Sequence, residues 1–316
     1  MTQKPVLTVT LNPALDISTG INKVEPELKL RCESPSFDPG GGGINVSRAI
    51  ALMGGSSLPL VALGGAVGMR MERMLRNAGL DPQRIDAPGE TRQSIAVLEH
   101  ETGQQYRFVM PGPVWSETKV EASLERISYL ATSGSLVILS GSNPPGVPAE
   151  YAALLAARLD GRDVGLIVDT SGPALHAVAS GGHDIALLRM DQAEAEELAG
   201  IPLTERGDTA AFARSLVASR AARRVIVARG ADGNIIAAPE GAWHVEAARI
   251  KVVSKVGAGD SFLAGFTLGL ARAMSVPDAL GLGAAMASAA CMTPATELCR
   301  REDAEALFAA RVVTEV

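Results

Sequence analysis

Short apolar runs rich in β-branched residues recur along the chain and alternate with stretches of helical patterning. These runs are interpreted as strands at Val6–Leu11, Leu58–Leu63, Leu136–Ser140, Val164–Asp169, Ile185–Arg189 and Val225–Ala228. Alternation of this kind is typical of a mostly parallel sheet that is covered by helices on both faces. The sequence therefore predicts an α/β fold.

Two segments interrupt the alternation. Asp16–Phe37 contains scattered β formers and is interpreted as a small sheet that projects from the core. The runs Gln93–Glu99 and Gln105–Met110 flank a turn at Glu101–Gln104, which predicts a hairpin. Because no repeat or long linker is visible, we expect one domain over residues 1–316, with a β lid formed by about residues 16–37 and part of 91–110.

Composition and charge narrow the class of protein. The chain has 316 residues, 47% of them hydrophobic, and can bury a large core. Its formal charge of −6 leaves no basic surface for nucleic acid, so a bound phosphate has to meet locally placed cations. The apolar stretches Phe262–Ala271 and Ala279–Met292 are shorter than the roughly 20 residues of a membrane span and are predicted to be buried helices.

The remaining compositional signals favour the cytoplasm. The first residues lack the pattern of a signal peptide, because the run from Val6 is short, interrupted by threonines and already strand-like. Cys32, Cys291 and Cys299 are an odd number at no metal-ligand spacing, which is typical of reduced thiols. We therefore expect a cytoplasmic protein with neither nucleic acid nor a membrane as a partner.

The strongest chemical signal is the glycine-rich stretch Lys255–Phe262, which leads directly into a helical run. Unpaired amide groups of Gly257, Ala258 and Gly259 at a helix N-terminus favour an anion. The stretch also places Asp260 in the first helical turn, where a carboxylate can accept a proton from a hydroxyl beside a transferring phosphate. The alternative is that Asp260 only caps the helix, and for one such turn alone that alternative is the commoner one.

A second signal is Asp38–Arg48, in which four consecutive glycines precede a helical pattern. Such a run costs backbone entropy and needs a reason. Either a ligand approaches the bare backbone, with Asn45 able to bind sugar hydroxyls, or the glycines form a hinge. We favour the ligand, because a hinge needs fewer glycines.

Other phosphate-binding and catalytic patterns are absent from the sequence. There is no G-x-x-x-x-G-K-[ST] motif, and no G-x-G-x-x-G follows a predicted strand. The four histidines have no metal-ligand spacing, so a zinc centre or a catalytic histidine has little support.

Several motifs in a fixed order resemble those of the ribokinase-like carbohydrate kinases, and most closely the phosphofructokinase B branch with its minor bacterial ATP-dependent 6-phosphofructokinases. The resemblance covers almost the whole chain and is carried by Thr8–Asp16, Lys29–Cys32, Gly40–Asn45, Thr91–Gln93, Gln105–Gly112, Ser140–Gly146, Val168–Gly172 and Val256–Asp260. It implies a three-layer sandwich with a small β-sheet lid. It also implies that Asp260 is the catalytic base and that Gly257, Ala258 and Gly259 form the anion hole.

The resemblance also implies a sugar-phosphate site. In it Asp16, Gly41, Gly42 and Asn45 hold the sugar hydroxyls, and Lys29, Arg92 and Ser142 surround the phosphate that the sugar already carries. Charge agrees with this assignment, because Lys29, Arg31, Arg92 and Arg107 lie in or beside the predicted lid and hairpin of a net-acidic chain. Taken singly, Arg31 and Arg107 are interpreted as surface residues.

On the nucleotide side the chain departs from the family pattern. Where the family has Lys-Pro-Asn-x-x-Glu, this chain has Arg189-Met-Asp-Gln-Ala-Glu194. Glu194 is left to organise Mg²⁺ through water, while Arg189 and Asp191 either form an ion pair or, as we favour, Arg189 reaches the phosphates. The other implied nucleotide positions are Ala228, Gly230, Gly233 and Thr293, with Ala228 standing where a hydroxyl residue is common and Thr293 where asparagine is common.

The expected function is transfer of the γ-phosphoryl group of Mg-ATP to the 1-hydroxyl of fructose 6-phosphate, with a monovalent cation as a further implied cofactor. A 1-phosphofructokinase or a tagatose-6-phosphate kinase would use the same catalytic parts. From another class, a non-catalytic sugar-phosphate-binding protein with a drifted nucleotide site is the alternative, although a pure binder would not need Asp260. A small exposed sheet is marginal alone, so we also expect a homodimer through the lid.

Overall fold

The structure is a computed structural model and describes residues 2–294 and 296–316. In chain order its elements are β1 (Val6–Thr10), β2 (Ala14–Ile21), β3 (Ser36–Gly40), α1 (Gly42–Leu52), β4 (Leu58–Leu63), α2 (Gly65–Asn77), β5 (Gln83–Asp86), β6 (Arg92–Glu99), β7 (Gln105–Val109), α3 (Glu117–Leu130), β8 (Ser135–Ser140), α4 (Tyr151–Leu159), β9 (Val164–Asp169), α5 (Gly172–Ala179), β10 (Leu187–Asp191), α6 (Gln192–Ala199), α7 (Arg206–Ala218), β11 (Val225–Ala228), β12 (Asn234–Ala238), β13 (Gly241–Val245), α8 (Ala258–Ala271), α9 (Val276–Cys291), α10 (Arg301–Ala309) and β14 (Val313–Glu315).

The central sheet has ten strands in the order β14-β13-β12-β11-β10-β9-β8-β1-β4-β5. From β11 to β5 every pair of adjacent strands is parallel, whereas the pairs β11–β12, β12–β13 and β13–β14 are antiparallel. Each of the six predicted strands lies in this sheet, so the mostly parallel arrangement is confirmed. The largest shift is in β10, which begins at Leu187 where the sequence suggested Ile185.

The strands alternate between two cores, as the period-2 geometry of a strand requires. In β1, Leu7 and Val9 pack with helices α3, α4 and α5, whereas Val6 packs on the other face with α1, α8 and α9. Both faces of the sheet are therefore covered, and the expected three-layer α/β sandwich is confirmed. α8 and α9 are almost entirely buried, as expected for these apolar stretches. Among residues 2–294 and 296–316, every helix is too short or too polar to cross a membrane.

A separate sheet of four strands has the order β3-β2-β6-β7. The predicted hairpin is its β6–β7 pair. The other boundaries differ from the expected segment 16–37, because β2 begins at Ala14 and β3 continues to Gly40. Residues 22–35 between them form no strand and are mostly exposed. Pro26 and Pro35 lack the N–H that a strand donates, which explains part of this interruption.

Candidate active site

The predicted site residues gather at the edge of the central sheet where the parallel strands end. Ser140 ends β8, Asp169 ends β9 and Ala228 ends β11. Helix α1 begins beside this edge, since Gly42 lies against Ser140, and Asn45 of α1 contacts α8. Ligands of open α/β sheets bind outside the carboxyl ends of the strands, so the fold places the candidate residues where a ligand is expected.

The glycine-rich turn before α8 has the conformation that the sequence suggested. Gly257 is the residue before the helix and has a φ of 75°, in the left-handed region that favours glycine. Asp260 is the third residue of α8, yet no side chain caps this helix. Instead, Asp260 Oδ2 accepts a hydrogen bond of 2.9 Å from Asn45 Nδ2. The geometry therefore argues against a purely capping role for Asp260.

The environment of Asp260 raises the pKa of its carboxyl to about 6, mainly because burial disfavours the charged form. The negative charge of Asp169 adds to the rise, whereas the Asn45 hydrogen bond and the positive charge of Arg189 oppose it. A carboxyl with this pKa is mostly ionised at neutral pH and is more basic than an ordinary aspartate. It is therefore suited to accept a proton.

Arg189 lies against the first turn of α8. A Cβ atom at Gly259 would be only 3.0 Å from Arg189 Nη2, so the guanidinium occupies the space beside this glycine. Arg189 Nη1 donates to Asp169 Oδ1 over 3.1 Å, and Asp169 Oδ2 accepts from Ser140 Oγ over 3.2 Å. The possibility of an Arg189–Asp191 ion pair is thus wrong, because Asp169 is the carboxylate partner. We assigned no role to Asp169 from the sequence, although an aspartate that ends a buried strand was a usable signal.

The carboxylate of Asp191 caps helix α6, a role that the sequence analysis did not consider. Its Oδ1 accepts from the backbone N–H of Glu194 over 2.9 Å, and Glu194 Oε2 accepts from the N–H of Asp191 over 2.8 Å. This reciprocal pair is a capping box at the start of α6. Burial raises the pKa of the Glu194 carboxyl, while the Asp191 N–H opposes the rise. One oxygen of Glu194 is therefore used in the cap.

The four-glycine run is packed tightly against its neighbours. A Cβ atom would collide with the Asp16 carboxylate at Gly40, with Thr10 at Gly41 and Gly43, and with Ser140 at Gly42. The glycines thus let the start of α1 press onto β1, β2 and β8. The sequence interpretation weighed a ligand against a hinge and missed this packing requirement. This packing does not test whether the backbone at Gly41 and Gly42 also holds sugar hydroxyls, which stays a prediction.

A polar cavity lies between the small sheet and the turn before α8. Asp16, Asp38, Asn45, Arg48 and Gly257 are among its lining residues. Asp16 and Asp38 are cross-strand partners in the β2–β3 pair. Burial raises the pKa of the Asp16 carboxyl, although nearby arginine side chains oppose the rise. The cavity therefore presents two carboxylates, an amide and a guanidinium, which suit the hydroxyls of a sugar.

No role was predicted for Asp38 and Arg48, although they are the first and last residues of the segment that contains the glycine run. Arg48 Nη2 donates to the carbonyl oxygen of Thr296 over 3.0 Å, and its Nη1 lies 3.5 Å from Asn45 Oδ1. Because a guanidinium can only donate, this contact favours the amide orientation in which Asn45 Nδ2 faces Asp260.

The structure connects two of the three predicted phosphate ligands. Arg92 Nε and Nη2 donate to the carbonyl oxygen of Asn12 over 3.2 and 3.1 Å, and Asn12 Nδ2 donates to Ser142 Oγ over 3.1 Å. The sequence analysis assigned no role to Asn12, although this residue lies within the Thr8–Asp16 motif. The structure does not place Lys29 with Arg92, Asn12 and Ser142. Lys29 lies in the exposed stretch 22–35 and is not among the residues that line the two cavities beside the small sheet.

The other predicted nucleotide positions lie in two parts of the fold, the end of β11 and the end of α9. Ala228 and Gly230 lie at the end of β11 and in the turn that follows it. Gly233 closes this turn. Thr293 is 1% exposed, and its hydroxyl lies 2.8 Å from the carbonyl oxygen of Ala290 and 2.6 Å from that of Leu298. The hydroxyl is therefore already bonded within the fold, and the nucleotide-binding role implied for Thr293 stays a prediction.

Comparison with known proteins gives consistent results. The family model for the pfkB family of carbohydrate kinases matches residues 5–303. ATP-dependent 6-phosphofructokinase isozyme 2 of Mycobacterium tuberculosis (strain CDC 1551 / Oshkosh) is 38% identical over 303 residues, covering 96% of this chain and 88% of that protein. The enzyme of the same name from Escherichia coli (strain K12) is 37% identical over 304 residues, covering 96% of this chain and 98% of that protein.

A solved structure supports the same relationship. The crystal structure of phosphofructokinase-2 from Escherichia coli in complex with potassium matches with a TM-score of 0.91 and 37% identity, and the match covers 98% of this chain and 99% of that one. With the Asp260 turn, the polar cavity and the three-layer sandwich, these matches show that the chain belongs to the pfkB family of carbohydrate kinases.

Proposed function

We propose that this carbohydrate kinase is an ATP-dependent 6-phosphofructokinase, which transfers the γ-phosphoryl group of ATP to the 1-hydroxyl of fructose 6-phosphate. The observation that carries the proposal is the half-buried Asp260 carboxylate in the first turn of α8, whose partner Asn45 lines the polar cavity. The names of the two relatives supply the choice of substrate and donor.

Asp260 is the base in this proposal. Its Oδ2 is held by Asn45, and the carboxylate accepts the proton of the 1-hydroxyl as that oxygen attacks the γ-phosphorus. Backbone N–H groups of Gly257, Ala258 and Gly259 stabilise the negative charge on the transferring group, because the first N–H groups of a helix have no acceptor within it. The N–H of Ala258 donates to the carbonyl oxygen of Lys255 over a long 3.4 Å, so it has to exchange this contact for the anion. Arg189 adds a fixed positive charge beside this turn.

The remaining substrate contacts are those that the family resemblance implies, and of these residues Asp16 and Asn45 line the polar cavity. Asp16, Asn45 and the backbone at Gly41 and Gly42 bind the sugar hydroxyls. Arg92 and Ser142 bind the 6-phosphate, an assignment supported by their common connection to Asn12. Lys29 stays a predicted phosphate ligand, and reaching this group requires the exposed stretch 22–35 to move or a second chain to supply the residue.

Mg²⁺ and a monovalent cation are proposed as cofactors. Within residues 2–294 and 296–316 no cluster of three metal-ligating side chains occurs. Mg²⁺ commonly keeps several waters and is held by one or two carboxylates together with the substrate phosphates. Glu194 would hold it through water, because one of its oxygens serves the cap of α6. The ion would neutralise charge on the phosphates. The potassium in the Escherichia coli structure supports the monovalent cation.

A coupled assay for ADP release tests the proposal. It compares fructose 6-phosphate, fructose 1-phosphate and tagatose 6-phosphate at fixed Mg-ATP, with Asp260→Asn as the control for the chemical step. We expect the largest kcat/KM for fructose 6-phosphate. A preference for either other sugar would favour the two alternatives within the family. Binding of sugar phosphate without ADP release from any of them would favour the non-catalytic alternative.

A further inference from the structure

The turn that follows β11 is held by charged side chains that the proposed reaction does not use. Arg206 Nη2 and Nε donate to Asp232 Oδ1 over 2.6 and 3.0 Å, and Arg229 Nε donates to Asp232 Oδ2 over 2.9 Å. We refer to Arg206, Arg229 and Asp232 as the Asp232 clamp. A carboxylate that joins two guanidinium groups in this way restrains both, because charge-assisted bonds are the strongest hydrogen bonds of side chains.

The clamp extends to the segment before α7. Arg229 is mostly buried, with a side chain only 7% exposed. Its Nη1 donates to the carbonyl oxygen of Leu203 over 2.9 Å and to the hydroxyl of Thr209, and its Nη2 donates to the carbonyl oxygen of Thr204 over 2.8 Å. On one side, the turn after β11 is therefore fixed to residues 203 and 204 and to Thr209 of α7.

The other side of the turn is fixed by β13. His244 Nε2 lies 2.7 Å from the carbonyl oxygen of Asp232, and since a carbonyl only accepts, His244 donates here. Burial lowers the pKa of His244, which keeps its ring neutral at physiological pH. Gly233 has to be glycine, because a Cβ atom there would collide with the carbonyl oxygen of Val245.

The face of the turn at Gly230 is open. Gly230 has a φ of 59°, and a Cβ atom there would meet nothing within 4 Å. The turn also follows the carboxyl end of a parallel strand, where ligands of α/β sheets bind. The clamp thus orders a turn that is fixed on two sides and free on the side that a ligand can reach.

We propose that Asp232 is a positioning residue for the phosphoryl donor, holding residues 229–233 in the conformation that receives the nucleotide. This inference rests on the proposed function, which makes ATP the donor. It also explains how Ala228 can stand where a hydroxyl residue is common. Because the clamp orders the turn, a side-chain hydroxyl at the end of β11 is not needed for that purpose.

Charge and geometry predict opposite effects when Asp232 is neutralised. Removing its charge would leave two guanidinium groups uncompensated near a polyanionic nucleotide, so electrostatics alone would strengthen ATP binding. Loss of the turn conformation would weaken ATP binding. The sign of the change therefore separates a positioning role from a simple charge effect. Hydrogen bonds from Arg206 lower the pKa of Asp232 to about 2, so the clamp is ionised throughout the pH range of an assay.

The test compares Asp232→Asn with Asp184→Asn. Asp184 and Arg223 form a bidentate pair of similar geometry, with bonds of 2.8 and 2.7 Å, at the opposite edge of the sheet before β10 and β11. For Asp232→Asn we expect KM for ATP to rise about tenfold, the equivalent of one or more lost charge-assisted bonds, while KM for fructose 6-phosphate changes by less than about twofold. Asp184→Asn should change neither. A KM for ATP that is unchanged, lowered, or raised equally in the control would overturn the proposal.

Calorimetry of Mg-ATP without sugar gives a second measure that does not depend on turnover. If the parent protein binds Mg-ATP but releases no ADP, the proposed function fails, while the weaker binding expected of Asp232→Asn still tests the clamp. If the parent binds no Mg-ATP, both are overturned. Should Asp232→Asn fail to fold, Arg206→Gln removes the more exposed half of the clamp, and normal ATP binding by that variant would contradict the inference.

Discussion

At the scale of single residues, the carboxyl of Asp260 is tuned by neighbours with opposite effects. Burial and the charge of Asp169 favour the protonated form, while Asn45 and Arg189 favour the ionised form. The balance raises the pKa to about 6. The sequence predicted the position of Asp260 but not this tuning, because Asp169, Asn45 and Arg189 lie on three different elements.

The first prediction is a pH profile. Because Asp260 acts only when ionised, kcat/KM should fall about tenfold per pH unit below a midpoint near pH 6. Asn45→Ala removes a hydrogen bond that favours the ionised form, so its midpoint should lie at higher pH. Initial rates between pH 5 and 8 with saturating Mg²⁺ measure both. A parent rate that stays level down to pH 5 would rule out this pKa for the base.

The second prediction couples activity to stability. A carboxyl whose pKa is raised in the folded state binds more protons there than in the unfolded state, so the fold loses stability as pH rises from about 4 through 6. Asp260→Asn removes this cost. We expect turnover to fall by about 10²–10⁴ while the midpoint of thermal unfolding at pH 7 rises. Calorimetry at pH 5 and 7 checks the sign, since the gain should be smaller at pH 5.

The third prediction concerns Arg92. Its guanidinium donates to the Asn12 carbonyl and is expected to meet the sugar phosphate as well. Arg92→Ala should cost about 1.5–3 kcal/mol in kcat/KM for fructose 6-phosphate and much less for fructose. Arg107→Ala is the control, because Arg107 is an exposed cation on the neighbouring strand β7 of the same small sheet. Equal losses on both sugars would make Arg92 structural.

At the scale of elements, the start of α6 explains a departure from the family pattern. Asp191 caps this helix through the N–H of Glu194, and asparagine caps equally well. The fourth prediction is therefore that Asp191→Asn leaves the free energy of unfolding nearly unchanged, while Asp191→Ala lowers it by about 1 kcal/mol. Urea unfolding of both variants measures the difference. A large loss in the asparagine variant would show that the charge of Asp191, not its hydrogen bond, stabilises the start of α6.

The same two variants bear on the metal. If the carboxylate of Asp191 also helps to hold a water-bridged Mg²⁺, then Asp191→Asn should need more free Mg²⁺ for half-maximal rate. Tighter ATP binding with an unchanged Mg²⁺ dependence would instead show that Asp191 only repels the nucleotide.

The sequence predicted the strands of the parallel sheet well because each is a compact apolar run buried on both faces. It did not predict the antiparallel edge formed by the short strands β12, β13 and β14. A turn at Pro239 and Glu240 separates β12 from β13, and β14 follows only after helices α8, α9 and α10. The sequence also ended the small sheet at Phe37, whereas β3 continues through Asp38 and Pro39 into the glycine run. There tertiary pairing with β2 overrides weak local preference.

At the scale of the whole molecule, the site is assembled from residues that are far apart in the chain. Asn45 and Asp260 are separated by 215 positions, yet their side chains are 2.9 Å apart. Glycine-rich motifs indicated both ends of this contact. The contacts of Asn12 and Arg48 and the pairing of Arg189 with Asp169 could not be predicted from local patterns, because each depends on how distant elements pack.

The small sheet leaves apolar surface exposed. Its strands and the stretch 22–35 contain Leu28 (61% exposed), Leu30 (40%), Leu98 (40%), Phe108 (55%) and Val109 (64%). A sheet of a few strands gains little stability alone, and contiguous exposed apolar surface is typical of an interface. Pairing of two copies through the lid would bury this surface on both chains at once.

The last prediction is therefore that the protein is a homodimer at micromolar concentration, measured by sedimentation. Phe108→Glu places a charge in the expected interface, where burial without a partner is costly, and should shift the protein toward monomer. Tyr129→Glu is the matched control, because Tyr129 is an aromatic residue of α3 that is 78% exposed away from the small sheet. It should leave the dimer intact. A monomeric parent would contradict the expected dimer, and equal dissociation by both variants would place the interface elsewhere. If Lys29 reaches the sugar phosphate of the partner chain, the monomeric variant should also show a raised KM for fructose 6-phosphate with its KM for ATP little changed.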